Sequence, residues 1–321
     1  MIKVSVVVLN WNQPELTIAC LNSLLAAKRG KKLSLEIILV DNCSDPDKLK
    51  KLKEYLDRVR FQKRSRKVSF VLMENKENLG FAQGNNRGIK QALKNSTDYI
   101  FILNNDTEID SDCLIALIEA AETNHRIGII SPKIYYAPGF EFHKDRYQEK
   151  ETGRVIWYAG GEVDWVNVLG HHFGVDEVDN GQYDQEEDIS FATGCAFLAK
   201  REVFDRVGVF DKRFFLYLED LDFSLRTIKA GFRILFAPKS IVYHKNAASS
   251  GGSGSALQNY YLTRNRLLFG FKHGYWKIKL FLLIGLIKIL FDQDKVRKEA
   301  VFDFLKGNFG FKDINSIKAN S

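Results

Sequence analysis

The sequence predicts an α/β fold with a mostly parallel central sheet flanked by helices. Three observations predict it. Apolar, β-branched runs of strand length alternate with helical segments over the first ~135 residues, the pattern of repeated strand–helix–strand units. The runs are apolar at consecutive positions, as in strands buried on both faces. Each run also ends abruptly in small polar residues, and ligands of such sheets bind where the strands end.

The elements follow in order. "KVSVVVLNW" (Lys3–Trp11) is the first strand, and Pro14 suits the first turn of the helix that runs through Leu25. "LEIILVDN" (Leu35–Asn42) is the second strand, followed by a charged amphipathic helix from Asp47 to Arg60. "VSFVLMEN" is the third strand, and "GFAQGNNRGIKQALKN" gives a loop and a helix. "DYIFILNND" is the fourth strand, Asp112–Asn124 a helix, and "IGIISPKIYY" the fifth strand. Ala137–Asp188 is irregular, rich in Gly, Asp and aromatics, and reads as short strands and loops over the sheet. Order returns at "FATGCAFLAKREVFDRVGVFD", with Gly194 at a tight spot before a strand and a short helix. "FFLYLEDLDFSLRTIKAGFRILFAP" then places Glu219, Asp220 and Asp222 at a helix start, where acids also suit the helix dipole. Asn246–Gln258, rich in Gly and Ser, reads as flexible and divides a body, 1–245, from a basic and apolar helical extension, 246–321. Trp276–Phe291 within that extension falls short of the ~20 apolar residues that span a bilayer. It reads either as a helix packed on the body or as one lying on a membrane surface.

Composition narrows the class. With 321 residues, 45% hydrophobic and 27% charged, the chain is an ordinary globular protein. Its 4 cysteines stand far apart with no Cys-x-x-Cys pair, against a zinc ribbon or disulfide scaffold and for a reducing compartment. The N-terminus reads as a strand and not as a signal peptide, so a cytoplasmic protein is expected. The net charge of +7 is concentrated in Lys48–Lys67 and in the C-terminal segment. Solvated surface, an anionic membrane and nucleic acid are the three readings of such basic runs; no nucleic-acid-binding signature supports the last. Gly-x-Gly-x-x-Gly, the P-loop and Gly-x-Ser-x-Gly are all absent, against dinucleotide, Walker-type and hydrolase chemistry.

The polar tips Asn10/Asn12, Asp41/Asn42, Asn75/Asn78 and Asn104/Asn105/Asp106 fall at the carboxyl ends of the strands. Singly each is a turn; together they suit a nucleoside diphosphate and a metal. Asp41 can take a base N–H or a ribose hydroxyl, and Asp106 a divalent cation, Mg²⁺ or Mn²⁺, because hard cations prefer oxygen. Glu219 or Asp220 can deprotonate an acceptor hydroxyl. His244, after the last strand, reads alone as a surface histidine.

The chain resembles the family 2 glycosyltransferases of the GT-A fold, in particular their bacterial rhamnosyltransferase-like members. The resemblance rests on "VSVVVLNWN", "ILVDNCSD", "ENLGFAQGNNRGI", "FILNNDTEID", "TGCAFLAKREVFDRVGVFD", "FLYLEDLDFSLRTIKAGFRI" and "VYHK", in the family's order. It covers Val4–His244, and "NYYLTRNRLLF" less securely. It implies a nucleotide-sugar donor such as dTDP-rhamnose, a divalent cation, and transfer with inversion to a hydroxyl of a glycan or polyprenyl-linked acceptor in cell-surface polysaccharide synthesis. Asp41 then resembles the acid at the nucleobase, and Asn78, Gly80, Ala82 and Asn85 the loop and helix start beside the nucleotide. Asn104-Asn105-Asp106 takes the place of the family's Asp-x-Asp, with Asn104 replacing its first acid. Asp220 of the Glu219–Asp220 pair resembles the catalytic base, and His244 a histidine that joins the metal. Arg226 is expected to buttress the acids. The "SSGGSGS" loop is expected to close over the donor, with Tyr260, Tyr261 and Arg264 on the acceptor side. Peripheral contact of the tail with the inner membrane face is expected. A soluble enzyme acting on a protein or small molecule, and an inactive nucleotide-sugar-binding module, are the alternatives. A nucleotidyltransferase is disfavoured because "NWNQPELT" is not a Gly-rich basic loop.

Overall fold

The computed structural model describes residues 1–30, 32–62, 68–246 and 254–314. The first half alternates as expected: β1 (Ile2–Asn10), α1 (Pro14–Ala26), β2 (Leu33–Asp41), α2 (Pro46–Gln62), β3 (Val68–Glu74), α3 (Gly80–Lys94) and β4 (Tyr99–Asn104). Next come β5 (Thr107–Ile109), α4 (Cys113–Glu122), β6 (Ile127–Tyr136), β7 (Ile156–Tyr158), β8 (Gly161–Asp164), β9 (Leu169–His172) and β10 (Glu187–Ile189). The remainder is β11 (Ala196–Lys200), α5 (Arg201–Val207), α6 (Glu219–Lys229), β12 (Arg233–His244), α7 (Ala256–His273), α8 (Trp276–Phe291) and α9 (Lys295–Lys306).

The main sheet has the order β10-β12-β6-β11-β4-β1-β2-β3. Pairs β1–β2, β2–β3, β1–β4 and β6–β12 are parallel, while β11 runs antiparallel between β4 and β6. The fifth strand of the sequence reading, β6, is therefore one strand removed from β4. Val6, Val7 and Val8 point alternately to opposite faces and all are buried, so β1 is covered on both sides. Helix α3 lies close against it: a Cβ added at Gly88 would come within 2.4 Å of Val7 Cγ1, so only glycine fits this approach.

Two boundaries differ from expectation in ways that shape the site. The fourth strand stops at Asn104, and the chain turns through Asn105-Asp106 into β5, which pairs antiparallel with the end of β12. The stretch read as flexible from Asn246 to Gln258 already ends in structure. Ser255 caps α7, its Oγ accepting the Gln258 N–H at 3.2 Å. Residues 247–253, including most of the "SSGGSGS" segment, lie outside the described residues, as do residues 63–67 of the first basic run.

The extension packs on the body through α7. Phe214, Leu218 and Leu221 share one apolar cluster with Leu267, Phe269, Leu282 and Val301. Helix α8 spans the residues expected of it, and its Ile278, Leu282 and Leu286 are buried. Among the described residues no helix is long and apolar enough to cross a membrane.

Candidate active site

Parallel register builds the site edge. Asn10 stands opposite Asp41, and Leu9 opposite Asn104, so the polar tips of β1, β2 and β4 lie side by side. Asn10 Nδ2 donates to Asp41 Oδ1 at 2.7 Å, and its Oδ1 accepts from Thr17 Oγ at 2.7 Å. Ser44 donates its backbone N–H to Asp41 Oδ2 at 2.9 Å and its hydroxyl to Oδ1 at 2.6 Å. Asp41 is thus held rigidly, with lone pairs to spare for a further donor. Asn12, at φ +57°, accepts the Asp45 N–H at 2.8 Å and shapes the same turn. Asn105 Nδ2 joins the group through Thr17 Oγ at 3.0 Å.

A second ladder shapes the start of α3. Asn42 Oδ1 accepts from Asn75 Nδ2 at 2.9 Å and from the Leu79 N–H at 3.0 Å. Its Nδ2 donates to Asn78 Oδ1 at 2.8 Å, which also accepts the Gly80 N–H at 2.9 Å. Gly80 sits at φ +72°, and an added Cβ would lie 2.5 Å from the Phe215 carbonyl oxygen. That oxygen accepts the N–H groups of Phe81 and Ala82 at 2.7 and 3.2 Å, fixing the first turn of α3. Asn85 caps back on the same turn, donating to the Phe81 carbonyl at 3.0 Å.

The β5–β12 pairing places His244 opposite Thr107, and with it beside Asp106. His244 Nε2 lies 3.3 Å from Asp106 Oδ1, and both side chains are buried. Asp106 Oδ1 and His244 Nδ1 are buried polar atoms without a hydrogen-bond partner among the described residues. Trp157 packs edge-on against the imidazole at 4.5 Å. Burial opposes the imidazolium, yet Cys195 and Asp106 together hold it well above the ordinary histidine range. Burial raises the Cys195 thiol and keeps it protonated, so Asp106 supplies the charge that matters. The expectation of a lone surface histidine does not hold; non-local pairing delivers His244 to the tip.

Asp220 reaches the same tip from α6. Its Oδ2 accepts the Gly194 N–H at 2.7 Å and its Oδ1 the Leu221 N–H at 2.8 Å. The adjoining Cys195 carbonyl accepts the Asn104 N–H at 2.8 Å. One peptide segment, Gly194-Cys195, therefore touches both the carboxylate and the Asn104 tip. Burial pushes the Asp220 carboxyl above its ordinary range, and the Gly194 and Leu221 N–H groups moderate the shift. Glu219 is buried with Oε2 unpartnered among the described residues; burial and then the Asp220 charge raise it well above the usual carboxylate range. Burial and a neighbouring charge thus favour the protonated form of Glu219, while the Gly194 and Leu221 N–H groups favour the carboxylate form of Asp220.

A model of the family described as "Glycosyl transferase family 2" matches residues 5–208. The chain is a family 2 glycosyltransferase. The N-acetylglucosaminyl-diphospho-decaprenol L-rhamnosyltransferase of Mycobacterium tuberculosis is 25% identical over 212 residues, covering 63% of this chain and 68% of the relative. Among solved structures, S. aureus TarS in complex with UDP-GlcNAc matches with a TM-score of 0.56 at 16% identity, over 95% of this chain and 81% of that one. The mannosyltransferase PcManGT of Pyrobaculum calidifontis, in complex with GDP-Man and Mn2+, matches with a TM-score of 0.54 at 13% identity, over 99% and 78%. These likenesses give the glycosyltransferase the GT-A fold.

The structure corrects the reading of α7 in this glycosyltransferase. Tyr260, Tyr261 and Arg264 are buried and their polar groups are used internally. Tyr260 Oη donates to Asp303 at 2.7 Å, and Tyr261 Oη accepts the Lys312 N–H at 2.9 Å. Arg264 donates to the carbonyls of Gly310 and Phe214, both at 3.0 Å. Their polar groups are committed to α9, to the segment after it and to the 213–214 carbonyls. Sequence reasoning missed Asn265, whose Nδ2 meets the carbonyls of Phe214, Leu216 and Tyr217 at 2.7, 2.7 and 2.9 Å. It also missed His273 and Lys272, which meet the fully buried Asp222 Oδ1 at 2.7 and 2.6 Å. Arg226 acts as expected, as a buttress, but on Asp222: its Nε donates to Oδ2 at 2.7 Å. The signal was a polar Asn265 and His273 among the apolar residues of α7.

Proposed function

We propose that this glycosyltransferase moves a sugar, with inversion, from a nucleotide-sugar donor to a hydroxyl of a glycan or polyprenyl-linked acceptor in cell-surface polysaccharide synthesis. dTDP-rhamnose is the first donor to test, given the similarity to the mycobacterial rhamnosyltransferase. The observation that carries the reading is the Gly194-Cys195 segment, which ties Asp220 to the Asn104 tip.

Asp41 takes a donor group of the base or ribose, and Asn10 and Asn12 keep its turn in shape. Asn78, Gly80 and Asn85 shape the start of α3 beside the nucleotide. Asn104 and Asn105 hydrogen-bond the donor without adding charge. Asp220 takes the proton of the acceptor hydroxyl as that oxygen bonds to the anomeric carbon from the face opposite the diphosphate. The bond to the diphosphate breaks as the new bond forms, and one displacement inverts the configuration. Protonated Glu219 keeps a second negative charge away from the incoming oxygen.

Asp106 Oδ1 and His244 Nε2, buried and 3.3 Å apart, fit a divalent cation, Mg²⁺ or Mn²⁺, which would replace the imidazolium proton between them. Among the described residues no group of three or more His, Cys, Asp or Glu is placed to hold a metal, so diphosphate and water would complete the shell. Such an ion, when bound, neutralises the charge of a departing diphosphate. The basic, apolar C-terminal segment brings the enzyme to the inner face of the cell membrane.

A thermal-shift screen of nucleoside diphosphates and nucleotide-sugars, with and without Mn²⁺, tests the reading. Stabilisation by one base class, strengthened by Mn²⁺, is expected. No stabilisation by any member would overturn it.

A further inference from the structure

An apolar cavity of about 640 Å³ opens between α7, α8 and the start of α9, away from the strand-end site. Leu262, Leu267, Phe281, Leu286 and Ile289 line it. Two guanidinium groups, Arg266 and Arg297, line it as well, with Lys288 and a single carboxylate, Asp292, so cations outnumber acids three to one. Arg266 Nε is buried without a hydrogen-bond partner among the described residues. Arg297 has an exposed partner in Asp292, and only at 3.8 Å. Burial and then the charge of Arg297 lower the Arg266 pKa, and the Asp164 charge opposes them without cancelling them. Asp292 reaches Arg297 at only 3.8 Å, and Arg266 Nε has no hydrogen-bond partner among the described residues, so an anion between the two guanidinium groups would add contacts that the protein does not supply.

The surface around the cavity has matching chemistry. Helix α8 buries only Ile278, Leu282 and Leu286. Trp276, Leu280, Leu283, Ile284, Ile287 and Phe291 are exposed, the last at 86%. Lys277, Lys279 and Lys288 are exposed on the same helix, which carries no acid. A helix of this composition lies in the plane of a bilayer interface, with its lysines at the headgroups.

We propose that the α7–α8 cavity binds one anionic phospholipid of the bilayer, its phosphate between Arg266 and Arg297 and an acyl chain in the apolar lumen. Arginine suits this role because its planar donors match phosphate oxygens. The proposal rests on the membrane-surface reading above and adds to it a defined lipid site distinct from diffuse adsorption.

Gly285 makes the test sharp. It lines the cavity, and a Cβ built on it meets nothing within 4 Å. Gly285→Leu fills the lumen while raising both helix propensity and apolarity. The full chain is floated with phosphatidylcholine vesicles, with and without phosphatidylglycerol. Wild type is expected to float only with phosphatidylglycerol, and glycerol 3-phosphate is expected not to compete. Arg266→Gln/Arg297→Gln is expected to lose binding at least tenfold, against a few-fold for Lys277→Gln/Lys279→Gln, which removes the same charge. Gly285→Leu is expected to weaken binding; simple hydrophobic adsorption would strengthen it. Equal losses for the two charge pairs, or stronger binding by Gly285→Leu, would overturn the lipid site and leave the membrane reading standing. Failure of wild type to float would overturn both. Melting curves of each variant separate these results from unfolding.

Discussion

The backbone N–H of Gly194 donates to Asp220 Oδ2 at 2.7 Å, and this contact sets where the carboxylate points. A Cβ at Gly194 would lie 3.3 Å from the same oxygen and 3.1 Å from Phe81 Cζ. Gly194→Ala is therefore expected to shift the carboxylate by a few tenths of an ångström, and kcat to fall about tenfold with the donor KM little changed. Steady-state kinetics of nucleoside diphosphate release check the split.

The acid limb of kcat should lie above the ordinary carboxylate range, because burial raises Asp220. Stability depends on pH with the matching sign. Burial raises Glu219 in the folded state, so the folded chain binds the extra proton. That contribution is complete below the unfolded value of about 4.3 and is lost as pH rises toward the raised folded value. Glu219→Gln mimics the protonated acid and removes the dependence. Its melting temperature relative to wild type should climb between pH 4 and pH 7, with kcat largely kept; a constant difference would contradict the assignment.

Asp222 has the opposite sign. It is fully buried, yet His273, Arg226 and Lys272 outweigh that burial and hold its carboxyl below the usual range. The stability it provides is present above the unfolded carboxylate value and fades as pH falls through the lower folded value. Asp222→Asn strands three donors and should cost about 3 kcal/mol at pH 7, with a smaller loss at low pH. Urea unfolding at the two pH values measures both.

Asn265 holds a strained turn. Phe215, Tyr217 and Leu218 occupy positive φ, at +61°, +70° and +67°, just before the Glu219–Asp220 pair. Such conformations persist only where surrounding contacts impose them. Asn265→Ala removes the donor shared by three carbonyls, and should cost about 1–3 kcal/mol. Because the Phe215 carbonyl also fixes α3, donor KM and kcat should both worsen, which a purely structural loss would not produce at temperatures well below melting.

The buried runs of β1 to β4 were legible because both faces of those strands are covered, and consecutive apolar residues mark that environment. Their polar tips were legible as one edge because parallel register brings Asn10, Asp41 and Asn104 level. What depended on non-local pairing was hidden. Three-residue β5 is too short to carry a pattern, so nothing local placed His244 opposite Thr107. The antiparallel insertion of β11 between β4 and β6 left no signal either, though it brings Gly194 to the tip. The burial of Tyr260, Tyr261 and Arg264 was hidden because nearness in sequence to a Gly- and Ser-rich stretch says nothing of burial. Their partners, Asp303, Gly310 and Lys312, lie 43 to 51 residues further on, within and beyond α9.

The central claim is that Asp220 activates the acceptor while other residues hold the donor. Asp220→Asn, assayed for sugar transfer and for Mn²⁺-dependent binding of the nucleotide-sugar, tests it most directly. Transfer should fall at least a thousandfold, on the order of the loss of a general base, while donor binding stays within a few-fold of wild type. Transfer at the wild-type rate by a correctly folded Asp220→Asn protein would contradict the account.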